Sequence, residues 1–170
     1  MVARRVALRD FRNCARAELE LGDGLTVLCG ANGAGKTNLL EGIYFACTAR
    51  SCRTSNEREL VRFGAAGTHA ALEVEAADGA HRVEVGFEPG QPKRIRVDGA
   101  LVERLAPGNA RPLVAVFMPD RLELVKGAPA SRRAHLDQLV AALWPARASH
   151  RAGYGRALAQ RNALLARIRA

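Results

Sequence analysis

Residues 30–37 read Gly-Ala-Asn-Gly-Ala-Gly-Lys-Thr, a complete G-x-x-x-x-G-K-[ST] phosphate-binding loop. It follows an apolar run, Leu25-Thr-Val-Leu-Cys29, and leads into helical spacing from Lys36 to about Ala49. Strand, glycine loop and helix in that order form the context in which this motif works. The expected fold is therefore α/β, and the expected ligand is a nucleoside triphosphate with Mg²⁺. Gly30, Gly33 and Gly35 let successive backbone N–H groups turn inward towards phosphate oxygens, with Ala31, Asn32 and Ala34 between them. The helix start adds the positive end of its dipole. The Lys36 ammonium reaches β- and γ-phosphates, and the Thr37 hydroxyl is the expected Mg²⁺ ligand, as in other loops of this kind.

The loop is not an accident of composition. At this chain's residue frequencies about 0.001 chance matches are expected. Lysine is scarce, with Lys36, Lys93 and Lys126 the only three against 23 arginines. The sequence uses Arg for general basic surface and keeps Lys where a compact charge on a flexible stem is needed.

At 170 residues and 48% hydrophobic, the chain is long enough to bury a core. No apolar run approaches membrane length, and charges occupy the place of a signal peptide's apolar stretch, so a cytoplasmic location is expected. Cys14, Cys29, Cys47 and Cys52 lack metal-site spacing and read as reduced residues, with Cys29 and Cys47 on a buried strand and helix. The histidines are scattered and none is assigned a catalytic role. Charge is uneven: residues 1–120 carry a net +1, residues 121–170 a net +8. A basic module of this kind suits a polyanion, most often nucleic acid.

Val6–Phe11 and Ala17–Leu21 alternate like half-buried strands. On the loop helix, Leu40, Ile43 (or Tyr44) and Cys47 are expected to face the sheet. Residues 50–62 read as a polar loop and short helix. Ala71–Glu75, Arg82–Gly86 and Arg94–Val97, with turns at Asp78-Gly79, Pro89-Gly90 and Asp98-Gly99, predict an antiparallel meander. Leu113-Val-Ala-Val-Phe117 predicts a buried strand. Leu136, Leu139, Val140 and Leu143 then mark a helix stopped at Trp144-Pro145, and Tyr154, Leu158, Leu165 and Ile168 a second over 147–170. On that second helix Arg156 and Arg167 fall together, with Arg147 and Arg151 near the opposite side, so it presents no single basic stripe.

Two strands before the loop and a meander after its helix suit an ABC-type head with a mixed sheet better than a small kinase or GTPase. Asp120 is rejected as a Walker B carboxylate, because Met118-Pro119 separates it from the strand tip at Phe117. No Leu-Ser-Gly-Gly-like signature is present, so no catalytic residue is assigned.

Four segments carry a resemblance: Leu8-Arg-Asp-Phe-Arg-Asn13, Gly30 to Ile43, Lys126 to Asp137, and Gln160-Arg-Asn-Ala-Leu-Leu165. In this order they resemble the RecF family of bacterial recombination-mediator ATPases, whose heads are of the SMC type. The resemblance implies an ATP-binding lobe over residues 1–119 and the start of a basic helical lobe over 120–170, the N-terminal part of a longer protein. It implies ATP-driven homodimerisation and ATP-dependent binding of DNA, single-stranded or at a single–double-strand junction. The setting would be replication, recombinational repair and the SOS response to DNA damage, with other mediator proteins as partners and weak ATPase activity in the complete protein. The glutamine often found at the lobe boundary of SMC-type heads is absent from Val-Ala-Val-Phe-Met-Pro. Arg132 and Arg133 open a helix whose dipole they oppose, so they are candidate contacts to DNA phosphate, with nucleotide, a second subunit or plain solvation as the other readings. The alternative function is a P-loop small-molecule or nucleoside kinase whose basic half holds a second phosphorylated substrate.

Overall fold

The computed structural model describes residues 1–105, 112–118, 126–144 and 148–169. The chain divides into two compact units, Met1–Val116 and Phe117–Ala170.

In the first unit, β1 (Val2–Phe11) and β2 (Cys14–Glu20) form a hairpin, and the phosphate loop leads into α1 (Lys36–Thr48). A 3-10 turn (Glu57–Leu60) precedes the meander β3 (Thr68–Ala76), β4 (Gly79–Phe87), β5 (Arg94–Val97) and β6 (Ala100–Val102). The six strands form one sheet in the order β2-β1-β3-β4-β5-β6, and every pair is antiparallel. Period-2 alternation sends Val6 and Leu8 of β1, Leu72 and Val74 of β3, and Val83 and Val85 of β4 to one face, where α1 covers them with Phe45, Ala46 and Cys47. At the end of β1 this alternation breaks. Asp10 takes a left-handed φ of 51°, so Phe11 also turns into the core, its ring 5.6 Å from that of Phe45.

The helix sits on the sheet through Gly42, not Leu40. An added Cβ at Gly42 would lie 2.3 Å from Leu8 Cδ1, so only a glycine allows this approach. That rotation buries Glu41, Phe45 and Thr48; Cys47 and the partly buried Ile43 face the core as expected, whereas Leu40 is exposed, which corrects the expectation for that residue. Two predicted strands also differ. Leu25–Cys29 joins no ladder, and Leu25 is 92% and Val27 66% exposed. Cys29 is exposed rather than buried, whereas Cys47 is buried as expected. Leu113–Phe117 is likewise unpaired; Val114 packs against the core, but Leu113 is 63% and Phe117 98% exposed. An apolar run becomes a buried strand only where a ladder and a covering layer exist, and among the described residues neither run has a ladder.

The second unit contains α2 (Pro129–Leu143) and α3 (Ala148–Arg169). Pro129 supplies the fixed φ of a first helical turn, and α2 ends with Trp144 as its C-cap, where the sequence placed the stop. Among the described residues Ile168 is 79% exposed, and Leu158 and Leu165 are 36% and 38% exposed. Pro119, Asp120, Pro145 and Arg147 lie outside the described residues.

Candidate nucleotide-binding site

The loop and helix form as the motif requires. Gly33 and Gly35 hold φ of 83° and 99°, values that cost a side-chain-bearing residue about 1 kcal/mol or more. Gly35 is the N-cap of α1 and makes no side-chain cap, so the first-turn N–H groups are not taken by a capping side chain. The Lys36 ammonium donates to the carbonyls of Gly30 (2.7 Å) and Ala31 (2.8 Å), so the loop is wound around its own cation. Ala31, Asn32, Gly33, Ala34 and Thr37 are exposed beside it. Left-handed glycines, an uncapped helix start and the Lys36 ammonium are the elements from which a polyphosphate site is built. Thr37 places a hydroxyl at the first helical turn, the position from which it would reach a phosphate-bound cation.

The sequence did not show what holds this loop in place. The tip of the β1–β2 hairpin is Arg12-Asn13, and both residues reach the loop helix. Arg12 grips Glu41 in a fork, Nε to Oε2 at 2.9 Å and Nη2 to Oε1 at 2.8 Å, and also touches Glu59 at 3.4 Å. Asn13 accepts from Asn38 Nδ2 at 2.9 Å. Its side chain lies where a Cβ on Gly35 would have to go, 2.9 Å from Oδ1. Arg53 ties Asn38 (2.9 Å) to Glu41 (3.2 Å), and Ser51 donates to Glu41. Glu41 is 1% exposed. Burial alone would raise its carboxyl, but hydrogen bonds from Arg12 and Ser51 and the charges of Arg12 and Arg53 outweigh it and hold Glu41 below the usual range. The bond to Glu41 also raises Arg12, keeping the guanidinium charged. Left-handed backbone at both Asp10 and Arg12, with φ of 51° and 55°, aims this tip. Arg12 N–H is secured on the Leu60 carbonyl at 2.8 Å and Arg62 N–H on that of Asp10 at 2.9 Å. The only sequence signal was a charged residue at 41 within an apolar helix stretch, with nothing to say that its partner lies 29 residues earlier.

Arg132 and Arg133 stand exposed in the first turns of α2. Arg132 Nη1 folds back onto the Gly127 carbonyl at 2.9 Å, and Arg133 lines a cavity with Leu136, Asp137, Val140, His150 and Tyr154. These helices and the phosphate loop belong to different compact units.

Phosphate loop, loop helix and antiparallel strands together define a head of the P-loop nucleotide-binding fold. A family model described as an AAA domain matches residues 5–109, and the chain belongs to that family. It is 41% identical over 97% of its length to the DNA replication and repair protein RecF of Acidothermus cellulolyticus, and 42% identical, again over 97%, to that of Pelotomaculum thermopropionicum. In each case it covers 44% of the relative, so the chain spans less than half the length of the curated proteins it matches. Among solved structures it superposes on the recombination mediator protein RecF with ATP at a TM-score of 0.80, 29% identical, over 98% of this chain and 45% of that one. An SMC ATPase structure shares the fold at a TM-score of 0.64 and 19% identity, covering 82% of this chain and 99% of that one. The resemblance to RecF carried by the four sequence segments is borne out.

Proposed function

We propose that this protein binds ATP with Mg²⁺ at Gly30–Thr37 and works in DNA replication and recombinational repair, binding DNA when ATP draws two copies together. One observation carries the reading: the Lys36 ammonium is caged by the Gly30 and Ala31 carbonyls at the open start of α1, in a chain 41% identical to a RecF protein over 97% of its length. Residues 1–119 are read as the ATP lobe and 120–170 as the beginning of a basic helical lobe. Bound ATP would supply the charge that two heads share on closure, and Thr37 would hold its Mg²⁺. Arg132 and Arg133 are the DNA contacts proposed on the helical side, Arg132 from a position already braced by Gly127. The antiparallel strands on both sides of the loop favour this reading over a small-molecule kinase.

The test is equilibrium binding of a fluorescent ATP analogue with Mg²⁺, followed by DNA binding with and without ATP. Tight analogue binding lost in Lys36→Ala, and DNA retention that requires ATP, are the expected results. Phosphate release from the 170-residue chain should be negligible, because the sequence offers no carboxylate at a strand tip to orient water. Analogue binding unaffected by Lys36→Ala, or steady ATP turnover lost in that variant, would contradict the assignment.

A further inference from the structure

The face of the sheet turned away from α1 carries a charge pattern that the nucleotide site does not use. Three arginines of this face have a carboxylate partner. Arg5 pairs with Glu18 at 2.7 Å, Arg16 with Glu18 at 2.9 Å, and Arg82 with Glu73 and Glu84 at 3.1 and 3.3 Å. The pairing stops at one end. Arg9, Arg94 and Arg96 line a cavity of about 460 Å³, and none has a carboxylate at ion-pair distance among the described residues. The cavity's own carboxylates are Asp10, Glu84 and Glu88. Asp10 is taken by Arg62 at 2.7 Å, and Glu84 by Arg82 at 3.3 Å with His69 at 3.8 Å. Glu84 also lies opposite Arg96 in the ladder, so Glu88 and a Glu84 shared with Arg82 offset the three arginines.

Register explains how these residues meet. Arg16 lies opposite Arg9, Arg9 opposite His69, His69 opposite Gly86, and Gly86 opposite Arg94. Residues directly opposite share a face, so one row runs across five strands as Arg, Arg, His, Gly, Arg. Gly86 forms its floor. A Cβ there would meet only the Arg94 carbonyl at 3.9 Å and His69 Cδ2 at 4.0 Å, so the hollow follows from the missing side chain. From Arg9 to Arg94 is three strand spacings, about 14 Å. A single phosphate cannot span that distance, whereas a duplex strand places a phosphate every ~3.4 Å along its axis. Phe63 is 99% exposed on the loop between Arg62, which braces Asp10, and Ala66, which lines the cavity. An exposed aromatic on a loop that adjoins a basic track offers a base a surface to stack on. The row also sits at the end of β1 that leads, four residues after Arg9, to Asn13 against Gly35.

We propose that this row, Arg9, Arg94 and Arg96 around the Gly86 hollow with Phe63 at its edge, is a second nucleic-acid contact, holding the sugar–phosphate backbone on the sheet of the ATP-binding unit. The proposal rests on the DNA-binding reading above and adds a place on the molecule that its basic helices do not cover.

The test compares the intact protein with Arg94→Gln/Arg96→Gln and Arg94→Lys/Arg96→Lys, measuring DNA affinity with ATP across a salt series. Two lost phosphate contacts should weaken binding about tenfold and make the slope of log K against log salt shallower by about 2, with ATP affinity unchanged. The lysine variant should stay near wild type. Wild-type affinity and slope in the glutamine variant would overturn this proposal and leave the proposed function standing. Failure of the wild type itself to bind DNA would overturn both. A free nucleotide is the other source of the same chemistry. If ATP bound to the Lys36→Ala protein were displaced by the Arg94/Arg96 glutamine changes, the backbone assignment would fall. Should the double variant lose its cooperative melt, the single exposed change Arg9→Gln decides, with a slope shallower by about 1 expected and an unchanged slope overturning the proposal.

Discussion

A carboxylate on the buried side of a helix is costly unless cations meet it, and at Glu41 two guanidiniums and a hydroxyl do. This cluster joins the hairpin tip to the helix that carries the phosphate loop, so its loss should be felt in both stability and nucleotide binding. Glu41→Gln keeps the size but removes the charge, leaving Arg12 and Arg53 facing a neutral amide. The expected cost is about 3 kcal/mol at pH 7, read as a lower urea midpoint with unchanged m. The sign with pH follows from the lowered carboxyl. Its stabilisation is complete above the ordinary carboxylate value of 4.5 and is lost as pH falls through the depressed folded value, so the variant should show a smaller loss on acidification. A variant as stable as wild type at pH 7 would mean that the fork only decorates the tip. At this scale the phosphate loop was fully legible, because eight consecutive residues carry it. Arg12, Asn13 and Arg53 were not, because their partners are brought near only by the β1–β2 turn and the chain that follows α1.

Elements were legible where the partner is also close in sequence. The meander reads directly because each strand pairs with the next, and Asp98-Gly99, both at positive φ, forms the two-residue turn that the sequence signals. The runs Leu25–Cys29 and Leu113–Phe117 look the same in composition, yet their state depends on neighbours that periodicity does not identify. Leu40 fails for a related reason. Helical spacing gives a face, but Gly42 against Leu8 fixes which way that face turns. The last point is testable through two opposing effects. Gly42→Ala gains about 1 kcal/mol of helix propensity. The new methyl must also displace the buried Leu8 side chain, an overpacking cost of about 1–3 kcal/mol. Packing should win, so Gly42→Ala is expected to lower the urea midpoint, whereas the paired change Gly42→Ala/Leu8→Val should recover part of the loss. A stabilised single variant would show that α1 can lift off the sheet without cost.

Across the whole molecule, two histidines pull the neutral-pH stability in opposite directions. His81 bridges two hairpin turns, with Nδ1 2.8 Å from Asp98 and Nε2 3.1 Å from Asp78. Hydrogen bonds to Asp98 and then Asp78 raise it above 6.5. Its stabilisation is therefore complete below 6.5 and is lost as pH rises through the folded value. His69, in the sheet-face hollow, is lowered, first by burial and then by Arg9, Arg82 and Arg96, against a raising effect from Glu84. Its contribution is present above 6.5 and is lost as pH falls through the folded value. The His69 contribution rises with pH below 6.5 and the His81 contribution falls above it, so the wild-type urea midpoint should pass through a maximum near pH 6.5. Single variants should reveal each slope: His81→Gln should leave a midpoint that rises with pH, and His69→Gln one that falls. The same midpoints measured with oligonucleotide present separate the roles further. Burial is the first cause that lowers His69, and phosphate against Arg9 and Arg96 would offset the cations that add to it, so bound DNA should raise His69 and flatten the His81→Gln profile. The His69→Gln profile, governed by a turn pair away from the hollow, should keep its slope with or without DNA.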